Sequence, residues 1–107
     1  MKKSCLILVL VFFSGFMFLL PHGVFAGSGE DIFNSKCGSC HGSGGEAPSF
    51  SPVKYASSQW ERFFKRDKHA RKKDISGIVS ASDIESISKY LMSHAADSDL
   101  PIAAGLK

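Results

Sequence analysis

The first 26 residues show one pattern and the remainder another. Lys2 and Lys3 precede an almost unbroken apolar run from Cys5 to Leu20, interrupted only by Ser14 and Gly15. Pro21, His22 and Gly23 end that run, and Val24-Phe25-Ala26 places small or modest side chains directly after it. This layout predicts a secretory leader over residues 1–26, cleaved after Ala26. The competing reading, a retained anchor, asks for about 20 apolar residues in a row, and this run is shorter. Cys5 lies inside the leader and is discarded with it.

Beyond Ala26 the apolar positions recur at helical spacing. A first helix is expected from Ser28 to about Cys37, with Ser28 as cap, Glu30 and Asp31 at its positive end, and Ile32 and Phe33 on its buried side. The glycines, serines and prolines between Gly38 and Pro52 read as loop. A second helix is expected to begin near Ser57 or Ser58, and Trp60, Phe63 and Phe64 share one face of it at i, i+3, i+4. Gly77 breaks the chain, although Ile75 to Val79 is apolar enough to reach the core. The last helix starts at Ser82 as N-cap, carries Asp83 and Glu85 in its first turn, and aligns Ile84, Ile87, Leu91 and Ala95 in one stripe. Residues 97–101 end it, and the tail 102–107 either folds back or frays. No segment alternates with period two, so the expected fold class is all-α.

Size sharpens this picture. Cleavage after Ala26 leaves residues 27–107, a single domain of 81 residues. A domain that small buries little apolar area and commonly depends on a metal, a cofactor or a disulfide. Charge changes it less. Of the 13 basic residues two belong to the leader, which leaves 11 against 10 acidic ones, a net charge of +1. The distribution is uneven, however. Arg62, Lys65, Arg66, Lys68, Arg71, Lys72 and Lys73 crowd one segment, diluted by Asp67. This is either a solvated helix face or a docking patch for an acidic partner. Export argues against nucleic acid.

The chemistry lies in Cys37-Gly38-Ser39-Cys40-His41, a Cys-x-x-Cys-His sequence. In this pattern two thiols add to the porphyrin vinyl groups of a haem, and the next residue, His41, is held beneath the iron as proximal ligand. A thioredoxin-like dithiol has the same Cys spacing but belongs to a strand–helix setting that this sequence lacks. A structural zinc site needs four ligands, usually with a second cysteine pair, and 27–107 contains only these two cysteines. One covalently bound haem c is therefore the expected cofactor.

Residues 28–50 and 82–96 resemble the small class I c-type cytochromes. Phe33, four residues before Cys37, matches their first helix; His41-Gly42 and Gly44-Gly45-Glu46-Ala47-Pro48 match the loop after the haem motif; Asp83 to Leu91 matches their last helix. The resemblance implies a small cytochrome c-like fold in which the first and last helices cross around one haem, with Phe33 meeting Tyr90 or Leu91. It also implies that the Pro48 carbonyl accepts a hydrogen bond from His41.

The sequence departs from that family at the sixth iron ligand, usually a Met in the loop before the last helix. No Met lies between His41 and Met92. Met92 sits about 80–100° from the last helix's apolar stripe, which suits packing or surface. The stretch from Trp60 to Asp97 is similar to a narrower branch containing the bis-His dihaem cytochromes c and related oxygen-binding haem proteins. That resemblance implies Trp60 against the cofactor and His69 on the iron. On one continuous helix Trp60 and His69, nine residues apart, point to opposite sides, so the helix has to end between them or His69 is solvated. His94 is the other spare imidazole.

The expected function is a periplasmic monohaem carrier of single electrons, not an enzyme, with bis-His iron and low potential. Its partners are redox proteins, acidic if the basic segment docks them, with at most transient membrane contact. The alternative is a haem protein that binds or senses diatomic gases through a labile distal ligand. A haem subunit of a larger redox enzyme is a third reading.

Overall fold

A computed structural model describes residues 28–107, so the expected leader over 1–26 lies outside the described residues. Among the described residues there are helices and turns and no strand. The all-α expectation holds.

The N-terminal helix is built of three segments laid end to end: α1 (Gly29–Ile32), a π-helical turn (Phe33–Cys37) and α2 (Gly38–His41). Ser28 caps it, its Oγ accepting from the Asp31 amide at 3.2 Å. The helix therefore runs through the cysteine motif rather than stopping near Cys37. Gly38-Ser39 composition favours loop, but packing overrides it here. Leu106 folds back close to Gly38, and the Gly42 amide closes the last turn onto the Gly38 carbonyl at 2.9 Å. Gly44, at φ +75°, then turns the chain through the following loop in a conformation that glycine adopts without steric cost.

α3 (Ser57–Lys65) begins where expected. Its first orphan amides are met from both sides: Gln59 Oε1 accepts from Ala56 at 2.8 Å, and Asp97 Oδ1 accepts from Ser57 at 2.7 Å. α4 (Ala81–Ser93) is capped by Ser80, not Ser82. Both serines precede an acid by three residues, so the capping sequence alone does not choose. The apolar register does, because a cap at Ser80 puts Val79 and Ile84 at the two staple positions, and both join the core. Ser80 Oγ accepts from the Asp83 amide while Asp83 Oδ2 accepts from the Ser80 amide, each at 3.1 Å.

Phe33, Trp60, Val79, Ile87, Leu91, Ala95 and Leu106 form the buried core. α1 crosses α4 at close range. A Cβ added to Gly29 would stand 2.6 Å from the Ser86 carbonyl oxygen, so the two backbones approach only because position 29 has no side chain. One turn on, the Phe33 and Tyr90 rings meet with centroids 5.4 Å apart. The last segment folds back rather than fraying: the Leu106 amide bonds to the Phe50 carbonyl at 3.2 Å, and Ser49 Oγ donates to the Leu106 carbonyl at 2.8 Å.

Candidate haem-binding site

Helical geometry explains how the motif is displayed. Positions i, i+3 and i+4 fall within about 100° of one another around a helix axis, so Cys37, Cys40 and His41 share a face. That face lines a cavity of about 540 Å³. Trp60 from α3 and Ile84, Ile87 and Leu91 from α4 contribute its apolar walls, and His69 lines it as well. Trp60 is 2% exposed, and its Nε1–H donates to the Pro52 carbonyl at 2.8 Å, so the indole lines the cavity without an unmet polar atom. Phe50 stands edge-on to the His41 ring at 4.9 Å between centroids.

Cys37 and Cys40 are free thiols. Burial, reinforced by the neighbouring Cys40, pushes the Cys37 thiol up to about 11. Thiol–disulfide enzymes depress their attacking cysteine instead, so this environment argues against the dithiol reading.

Each histidine has its tautomer set by a backbone carbonyl. His41 Nδ1 lies 2.7 Å from the Pro48 carbonyl oxygen, and His69 Nδ1 lies 2.8 Å from that of Lys73. A carbonyl only accepts, so each ring donates from Nδ1, and the neutral tautomer this selects leaves Nε2 as the nitrogen able to bind a metal. The two rings lie with centroids 6.2 Å apart and planes at 80°.

The nine-residue spacing from Trp60 is accommodated by a break in the helix. α3 ends at Lys65, Asp67 takes a left-handed conformation (φ 46°, ψ 46°), and a 3-10 turn over Lys68–Arg71 carries His69. His94 and Met92 do not line the cavity. His94 instead donates from Nδ1 to the Leu100 carbonyl at 2.7 Å, and Met92 Sδ accepts from Ser88 Oγ at 3.7 Å.

Three contributors escaped the sequence reading. Gly29 makes the helix crossing possible, and the Lys73 carbonyl orients His69. Lys73 Nζ also pairs with the Glu46 carboxylate, raising the lysine and lowering the acid from their ordinary values. The signal for the carbonyl was a separation of four residues, and for the crossing a glycine four residues before the core phenylalanine.

A helical shell and a Cys-x-x-Cys-His face on one apolar cavity are the features of a cytochrome c domain. Residues 25–91 match the family model described as cytochrome c oxidase, cbb3-type, subunit III, and the chain belongs to that family. No curated protein and no solved structure matches it. The fold is thus all-α and cytochrome c-like, and the domain implies a haem. The residues present fit one: two thiols and two Nε2 donors surround a cavity within the roughly 300–1,000 Å³ typical of cofactor sites.

Proposed function

We propose that this protein is a monohaem c-type cytochrome that passes single electrons, in which Cys37 and Cys40 would form the thioethers and His41 and His69 would supply the iron's imidazoles. The closeness of the two histidines at one cavity carries the reading. Two imidazoles that would share one metal, each at about 2 Å from nitrogen to metal, need their ring centres several ångströms apart. The His41 and His69 centroids are 6.2 Å apart.

When bound, the haem supplies a one-electron couple between ferric and ferrous iron. The chain's own groups prepare its surroundings. The Pro48 and Lys73 carbonyls fix both imidazole tautomers and make the rings better donors. Trp60, Ile87 and Leu91 give the cavity apolar walls. Two imidazoles in place of one imidazole and a thioether favour a low potential, because Met/His ligation is the combination that raises it.

No group in this reading serves as a catalytic acid or base, so the protein is a carrier and not itself an enzyme. The leader pattern supports a periplasmic location. The basic segment supports an acidic redox partner. Arg62, Arg66 and Lys68, with Tyr55, Gln59 and Phe63, line a second hollow of about 380 Å³, and none of these three cations has an ion-pair partner among the described residues. Tyr55, Phe63 and Lys68 also line the haem cavity, so a partner seated there would be one side-chain layer from the cofactor.

The test is mass spectrometry of the denatured protein from cells that mature c-type cytochromes, followed by absorption spectra of the native one. The expected results are the polypeptide plus one haem and a low-spin spectrum in both oxidation states. A polypeptide without haem overturns the reading.

A further inference from the structure

The turn that carries His69 makes few polar contacts beyond itself. Its backbone bonds are local: the Lys72 and Lys73 amides both return to the His69 carbonyl at 2.9 Å, and the Ile78 and Val79 amides return to Ile75. Asp74 is spent on the Ser76 amide two residues on. Upstream, Arg66 and Asp67 bond only into the end of α3. Among the described residues, one polar link joins residues 68–79 to the half of the molecule that carries the cysteine motif: Lys73 Nζ to the Glu46 carboxylate.

Glu46 stands on firm ground. Its neighbours are pinned to the motif, the Gly45 amide to the Gly42 carbonyl and the Ala47 amide to the Cys40 carbonyl, each at 2.9 Å. Two residues further on is Pro48, whose carbonyl holds His41. Lys73 is also the residue whose carbonyl holds His69. Both members of the pair line the cavity. The link therefore joins the backbone that orients one imidazole to the backbone that orients the other. Lys68, Arg71 and Lys72 crowd the same turn with like charge, and the Glu46 carboxylate is the counter-charge that draws it toward the motif.

We infer that Glu46 and Lys73 are positioning residues for the distal ligand: their ion pair holds the His69 turn over the cavity and sets how often His69 leaves the sixth position. This rests on His69 being the distal ligand. The pair is exposed, with side chains 52% and 63% accessible, so the effect is modest, salt-sensitive and separable from folding.

The experiment follows carbon monoxide binding to the ferrous holoprotein by stopped flow, in which CO enters only after His69 departs. At low salt Glu46→Gln and Lys73→Met should each bind CO about two- to fivefold faster than wild type, the range an exposed pair supports. Their CO-free spectra should remain low-spin. The charge-swapped double variant, Glu46→Lys with Lys73→Glu, should return toward the wild-type rate. Added salt should accelerate wild type toward the single variants and leave those variants unmoved. Single variants at the wild-type rate, or a swap that rescues nothing, overturn the inference. His69→Ala is the reference for an open site. If it binds CO no faster than wild type, the distal-ligand reading falls and this inference with it; if it binds fast while the Glu46 and Lys73 variants match wild type, only the positioning role falls.

Discussion

His41 and His69 lie 28 residues apart in the chain, yet their rings come within 6.2 Å between centroids, each with Nδ1 against a backbone carbonyl. His94 has the same kind of carbonyl bond but stands against Tyr90, its ring centroid 4.9 Å away, outside the cavity. His69→Ala should convert a low-spin haem to a high-spin one that takes carbon monoxide readily and has a higher potential. His94→Ala and Met92→Ala should leave the visible spectrum as it was. Loss of the low-spin spectrum in either of those, with retention in His69→Ala, would reassign the ligand.

The crossing of α1 and α4 should dominate stability. Leu91 is 0% exposed, and Leu91→Ala should cost about 2–5 kcal/mol by denaturant unfolding of the holoprotein. Gly29→Ala should also destabilise, although alanine is the better helix former, because the added methyl meets the Ser86 carbonyl and the Tyr90 Cβ. A stabilised Gly29→Ala would show that the helices do not meet there.

Stability should fall at acid pH partly through Asp83. The Ser80 amide, and then the Ser80 side chain, hold the Asp83 carboxyl below its ordinary value in the folded protein. A depressed folded-state value stabilises above the unfolded pKa of about 3.9, and that contribution is lost as pH falls through the folded one. Asp83→Asn should lower the melting temperature at neutral pH and flatten its decline below about pH 4, as read by melting temperature against pH.

Electron exchange should report the basic segment. A net charge of +1 for residues 27–107 predicts little salt dependence, whereas a local patch predicts much more. Reduction of ferricyanide should slow as salt rises, and Arg62→Glu with Arg66→Glu should abolish that slope. The same charge change at Lys36 and Lys89 should preserve most of it. Equal responses in the two double variants would mean that only total charge matters.

Particular residues show which features could be read from the sequence. Cys37, Cys40 and His41 were legible because their chemistry needs fixed types at fixed spacing. Ile87, Leu91 and Ala95 were legible because helical periodicity marks a buried face, and the meeting of Phe33 with Tyr90 followed from the resemblance to small c-type cytochromes. The helical course through Gly38 and Ser39 was not, since it depends on Leu106 returning from 68 residues away. The cap at Ser80 was hidden by a second serine with an acid at the same three-residue spacing, and only the burial of Val79 separates the two. The Glu46–Lys73 pair spans 27 residues between segments that share no pattern.

The left-handed Asp67 has a consequence for how this chain can vary over evolutionary time. Every turn of backbone between Lys65 and His69 is used to swing the imidazole back toward the side that Trp60 faces. Side chains 66–68 are exposed, and an exchange there that keeps the left-handed turn at Asp67 leaves His69 where it is. Insertion or deletion of one residue is another matter, because it rotates His69 by about 100° where the backbone is helical. For the placing of His69, the length of this stretch is the quantity under constraint. Homologous chains that use this ligand should therefore hold the Trp-to-His interval at nine residues while their charges drift, and chains with a different interval should take their sixth ligand from elsewhere.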